Sequence, residues 1–168
     1  KVDLERLQGM SAIRSPALDQ AYRPVIEHTP NVTVIFTDQV LFQFHAADRF
    51  VDYAAQEDYS LYLEEGSIRP GVRLLFVPGP IPLHLAIYDD SRVIMAPAPS
   101  TGVTEAESTA LDSSDSCVIE WVQGLFNQYL EGARPPIRVF QEHVASALRD
   151  EQSRERSVQS SVPQTEVT

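Results

Sequence analysis

Four histidines, one cysteine and several neighbouring carboxylates carry the reactivity in this 168-residue chain. Metal binding needs His, Cys, Asp or Glu at ligand spacing on one element. His28, His45, His84 and His143 are scattered, with no H-x-H or H-x-x-x-H pair and no accompanying carboxylate at such spacing. The reading is no metal and no cofactor. Nucleophilic catalysis fares little better: there is no G-x-S-x-G elbow, and no histidine stands near Cys117 in sequence. Cys117 opens a helix, where the dipole favours a thiolate, but a small residue there commonly just packs. The seven glycines form no phosphate-cradling string, and Pro78-Gly79-Pro80 reads as a stiff connection. Glu64-Glu65, Asp89-Asp90 and Asp112 with Asp115 read as solvated acids of turns.

That leaves "PLHLAIYDD", residues 82–90. In an extended strand Pro82, His84, Ala86 and Tyr88 point to one face, and Leu83, Leu85 and Ile87 to the other. Two readings of His84 stand side by side. One is a packed imidazole holding a single hydrogen bond, which composition favours. The other is a polar group on the wall of a ligand pocket, with Ala86, Tyr88 and Asp89 beside it.

The elements that must position these residues follow from periodicity. "LERL" reads as the end of a helix and "SAIR" (11–14) as a short first strand; a short or kinked helix covers 18–28, interrupted by Pro24. "NVTVIF" (31–36) reads as a buried strand. Thr37-Asp38 caps a helix over 39–56 with one apolar face. "YSLYLEEG" (59–66) fits a strand or a helical turn. "VRLLFV" (72–77), "LHLAIYD" (83–89) and "RVIMAP" (92–97) are strands apolar on both faces, so they belong inside a sheet covered by helices. Asp89-Asp90-Ser91 suits a hairpin turn, and "STALDSS" an edge strand. Asp115 or Ser116 caps "CVIEWVQGLFNQYLEGA", whose stripe is Val118, Trp121, Val122, Leu125, Phe126, Tyr129 and Leu130. A last helix runs over about 137–148. The expected fold is α/β: a mixed sheet with a central β-meander, flanked by helices.

Composition sets the outer limits. Hydrophobic residues make up 43% of the chain, enough for one packed core. No apolar run approaches a membrane span and no signal peptide is visible, so no membrane association is expected. A single cysteine excludes an intramolecular disulfide and fits a reducing, cytoplasmic setting. The formal net charge is -11, with 24 acidic against 13 basic residues, and Lys1 is the sole lysine. GC-rich coding and adaptation to a salty cytoplasm both produce that bias. Nucleic-acid binding needs clustered Lys and Arg, and no cluster is present.

From about Asn31 to Pro136 the chain resembles the effector domain that follows the winged helix-turn-helix in archaeal transcription regulators. These are the sugar-responsive TrmB type and the methanogenesis regulators of the Fil type, abundant in haloarchaea. The resemblance rests on "VTVIFTDQVLFQF", "GVRLLFVPGPIPLHLAIYDDSRVIMAP" and "DSSDSCVIEWVQGLFNQYLEGARP". Such domains are similar to the phospholipase D superfamily, whose catalytic strand reads H-x-K-x-x-x-x-D. Aligned on Asp89, His84 takes the lysine position and Pro82 takes that of the nucleophilic histidine. Phospholipase D chemistry forms a phospho-histidine, so the resemblance implies a degenerate phospholipase D-like sandwich without catalysis.

What it further implies is a sensor or dimerisation domain. Its partners would be a small-molecule effector, a second copy, and DNA only through a winged helix. Lys1 to Met10 is too short for that winged helix. The expected organisation is a lead-in over 1–16 from an upstream winged-helix domain, an effector domain over 17–148 and a disordered tail over 149–168. A diverged phosphodiesterase using His84 and Asp89, and a free-standing interaction module, remain as alternatives.

Overall fold

The computed structural model describes residues 4–12, 23–41, 63–98, 109–146 and 149. Seven strands form one mixed sheet in the order β3-β4-β2-β1-β5-β6-β7. They are β1 (Arg6–Ser11), β2 (Asn31–Thr37), β3 (Ser67–Arg69), β4 (Val72–Val77), β5 (Leu83–Tyr88), β6 (Arg92–Pro97) and β7 (Leu111–Ser113). Strands β1, β2 and β4 pair parallel. β3 joins β4 antiparallel, and β5 joins β1 antiparallel. β5, β6 and β7 continue as an antiparallel meander.

The α/β class and the mixed sheet flanked by helices are as the sequence indicates, and four strands fall where its apolar runs place them. Three placements differ. The first strand is Arg6–Ser11, with no helix end at "LERL". Arg6, Gln8 and Gly9 disguise its apolar pattern, yet it lies fourth of seven in the sheet, because β2 and β5 supply its pairing on either side. Part of the expected lead-in is therefore the central strand. Second, the three long runs do not pair in succession: β2 and β1 intervene between β4 and β5. The meander is β5-β6-β7 and occupies one side of the sheet rather than its middle. Third, Ser67–Arg69 forms an edge strand β3 that the sequence did not mark, just after residues 63–65, which take the helical one of the two forms expected there. The rest of the 59–66 reading, most of the 39–56 helix, residues 18–22 and nearly all of the tail lie outside the described residues; Arg149 is helical.

Two layers cover the sheet. On one face the long helix α1 (Ser116–Gly132) packs on β1, β5 and β6. Ile119, Val122 and Phe126 close over Met10, Ile35, Leu85, Ile87 and Val93. Burying each such side chain contributes roughly 1.5–3 kcal/mol. Asp115 starts the helix, its carboxylate accepting from Cys117 N at 2.8 Å and Val118 N at 3.3 Å, which satisfies amides the first turn leaves open. Trp121 is a correction: it is 57% exposed, while Ile119 takes a core place the sequence reading did not give it. At 3.6 residues per turn Trp121 stands about 100° round from Val122, outside the arc that faces the sheet.

The opposite face carries Leu7, Val32, Val72 and Ala86, covered by Val25 and Ile26 from the helical residues 23–28. Beside them Val40 and Leu41 (helical residues 38–41) and Val139 (helical residues 136–146) pack on Leu74 and Phe76. Chain passes from one face to the other at the β4 edge, where Arg134 pairs with Phe76 through both backbone hydrogen bonds, at 2.8 and 2.9 Å.

Candidate functional site

The register places His84, Ala86 and Tyr88 on the face opposite α1. Across β1 and β5, Leu7 opposes Tyr88 and Gly9 opposes Ala86. Across β5 and β6, His84 opposes Ala96 and Ala86 opposes Ile94. Ala86 is buried and His84 and Tyr88 are half-buried. The strand geometry read from the sequence thus holds for these three.

His84 is met from β1. Its Nδ1 lies 2.8 Å from Ser11 Oγ, in a part-buried pair joining residues 73 apart in sequence. The hydroxyl donates to a bare Nδ1 or accepts from Nδ1–H, according to the tautomer. Ser11 is the residue that sequence reasoning missed. It ends β1, and nothing local marks it as a partner of His84. The pair stands at the carboxyl end of a parallel strand, where β1 is flanked by parallel β2 on one side and antiparallel β5 on the other. In open α/β sheets, crevices at such ends, where the strand order reverses, are where ligands bind.

Asp89 is not part of this group. It lies five residues beyond His84, about 16 Å along an extended strand, in the turn to β6. Asp89 and Asp90 have φ of 47° and 53°, and Ser91 N donates to Tyr88 O at 2.9 Å, which makes a type I′ hairpin turn. Asp and Asn tolerate this left-handed region better than other side chains. The Asp89 carboxylate accepts from Glu5 N at 3.0 Å and Arg6 N at 2.7 Å. Its own amide donates to Arg6 O at 3.0 Å. Asp90 forms an ion pair with Arg6 and accepts from Gln123 Nε2 of α1 at 2.5 Å. The acid pair read as solvated therefore fastens the start of β1 to the hairpin and to the helix. Pro82 is exposed, and its carbonyl accepts from Ala98 N at 2.9 Å.

The remaining candidates stay apart. Cys117 is a free, exposed thiol on the first turn of α1. His28 Nδ1 lies 2.7 Å from Pro24 O, within its own helical turn. Asp112 pairs with Arg92 through two contacts, at 2.5 and 2.8 Å. That hydrogen-bonded pairing lowers the Asp112 carboxyl below its ordinary range and raises Arg92. Among the described residues no group of three or more His, Cys, Asp and Glu could hold a metal ion. No helix among them is long and apolar enough to cross a membrane.

The fold and the site together define a mixed α/β domain in which Asp89, Asp90 and Asp112 tie strands and the long helix together. Residues 3–132 match the family described as methanogenesis regulatory protein FilR1, middle domain, and the chain belongs to that family. Two solved structures share the fold. One is TrmBL2, described as an archaeal chromatin protein with a novel mode of DNA binding. It is 15% identical with a TM-score of 0.53, over 80% of this chain and 46% of that one. The other is NucT from Helicobacter pylori, 14% identical with a TM-score of 0.52, over 78% of this chain and 82% of that one. The chain thus spans less than half of TrmBL2. No curated protein is similar enough in sequence to match.

Proposed function

We propose that this chain is the non-catalytic regulatory domain of a transcription regulator of the TrmB and methanogenesis-regulator type, built on a degenerate phospholipase D-like scaffold. It acts in the cytoplasm as a homodimer, senses a small molecule, and reaches DNA through a winged helix supplied outside these residues. Membership of the FilR1 middle-domain family supports the regulatory role. TrmBL2, a fold relative whose description names DNA binding, is more than twice the length that this chain covers, which leaves room for a separate DNA reader. The lysine-poor, acidic composition fits a haloarchaeal source.

The observation that carries the non-catalytic reading is the use made of Asp89. Its two backbone donors, Glu5 N and Arg6 N, stand at the head of β1, and it lies a strand's length from His84. An acid–base pair needs both groups within hydrogen-bond reach of one substrate, which this spacing denies. We assign the effector to the neighbourhood of the Ser11–His84 pair, with Ala86 and Tyr88 along the same face, because the pair stands at the carboxyl end of β1, the end at which open α/β sheets bind ligands.

Two assays on the purified chain test this. Hydrolysis of bis(p-nitrophenyl) phosphate stays at background, and duplex DNA at physiological salt is not bound. Turnover that disappears in His84→Ala establishes the diverged phosphodiesterase instead. Salt-sensitive DNA binding by these residues alone removes the division of labour.

A further inference from the structure

One polar row on the α1 face lies away from the Ser11–His84 pair. Strand register aligns Gln8 with Thr33, Thr33 with Arg73, and Arg73 with Ser67, across β1, β2, β4 and β3. The next row on the same face, Met10, Ile35 and Leu75, is buried and apolar. The polarity is therefore confined to one line near the starts of the parallel strands.

Two members of the row carry polar atoms that meet no partner among the described residues. Gln8 Oε1 is buried and among the described residues accepts no hydrogen bond. An acceptor in that condition is rare, because it loses water and gains nothing in return. Arg73 is exposed, and among the described residues its guanidinium makes no ion pair or hydrogen bond. In a chain with 24 acidic and 13 basic residues a cation left without a carboxylate is a second departure from expectation. At this end of the sheet Asp90 is engaged by Arg6 and Gln123, and Asp89 by two amides. Both edges of the row are held firmly. Gly71 O accepts from Val32 N at 2.8 Å beside Arg73, and Asp89 clamps the start of β1 beside Gln8.

We propose that this row binds a small hydroxylated organic anion. Arg73 takes the oxyanion through its planar fork of donors, a geometry that suits carboxylate and phosphate alike. Gln8 Oε1 accepts from a hydroxyl of the ligand, and the Thr33 hydroxyl adds a third contact between them. Adjacent strands lie about 4.8 Å apart, so Gln8 and Arg73 straddle roughly 10 Å, the reach of a three-carbon anion plus an arginine side chain. The terminal torsion of Gln8 is soft, which lets its amide turn toward the occupant. This site is separate from the Ser11–His84 pair, which lies on the other face and at the opposite end of β1.

Titration calorimetry on the whole chain tests it with three probes: glycerol 3-phosphate, inorganic phosphate and glycerol. Glycerol 3-phosphate binds saturably and at least tenfold more tightly than inorganic phosphate, and glycerol alone does not bind. Arg73→Gln, at an exposed position, weakens glycerol 3-phosphate at least tenfold. Gln8→Leu raises the Tm of the free protein, because it removes an unsatisfied acceptor, and reduces glycerol 3-phosphate to the affinity of inorganic phosphate. Saturable binding of neither anion overturns the proposal, and so does binding unmoved by Arg73→Gln. A lower Tm in Gln8→Leu also overturns it, since Gln8 then serves the fold.

Discussion

Two turns at the same end of the sheet each fasten the start of a parallel strand, and they do it by opposite means. Pro70-Gly71 leads into β4 and presents the Gly71 carbonyl to Val32 N at the head of β2. Gly71 has φ of 80°, and a Cβ there would stand 2.0 Å from Pro30 O. That turn works because a side chain is missing. Asp89-Asp90 leads into β6 with similar positive φ values, but its side chains reach across to β1 and α1. That turn works because two side chains are present. A positive φ is thus a steric requirement in one place and a cost offset by hydrogen bonds in the other.

The contrast gives an ordered set of substitutions. Gly71→Ala has the largest effect, about 3 kcal/mol or more, because left-handed strain adds to a clash with backbone that cannot retreat. Urea unfolding measures it, and a loss under 1 kcal/mol breaks the steric half of the comparison. Asp89→Ala comes next, at about 2 kcal/mol for two charge-assisted bonds to backbone amides. Asp89→Gly is milder than Asp89→Ala, since glycine relieves the strain while losing the same bonds; equal losses would show that the bonds alone matter. Ser11→Ala and His84→Ala, combined in a double-mutant cycle, give a coupling of about 0.5–1.5 kcal/mol, and additivity would dissolve the pair.

Asp112→Asn is the smallest change, because the Arg92–Asp112 pair is exposed on the edge strand. Pairing lowers the carboxyl in the folded state. Its contribution is therefore present above the ordinary carboxylate range and is lost as pH falls through the lowered value. The Tm profiles of the two proteins accordingly converge in acid, and a gap that widens there reverses the assignment.

Much of this was legible in the chain itself. "VRLLFV" and "RVIMAP" are strands to the residue, and Asp115 caps the helix that the apolar stripe marks out. His84, Ala86 and Tyr88 share a face because a strand alternates. Less visible was β1, whose Gln8 and Gly9 interrupt the apolar pattern. The role of Asp89-Asp90 was invisible too, since an acidic pair in a turn looks solvated from its neighbours alone. Trp121 misled because an apolar stripe has a width, and only packing shows which edge of it reaches the sheet.

Periodicity, caps and turn chemistry are local, so the sequence by itself determined the strands of the meander, the long helix and the hairpin. The order of strands, the Ser11–His84 pair and the clamp on β1 join residues 73 to 84 positions apart. Such contacts form only when the sheet brings distant segments into register, and no short stretch of chain encodes that register. Tertiary structure therefore decided that Asp89 fastens the start of β1, and that His84 meets Ser11 across the sheet.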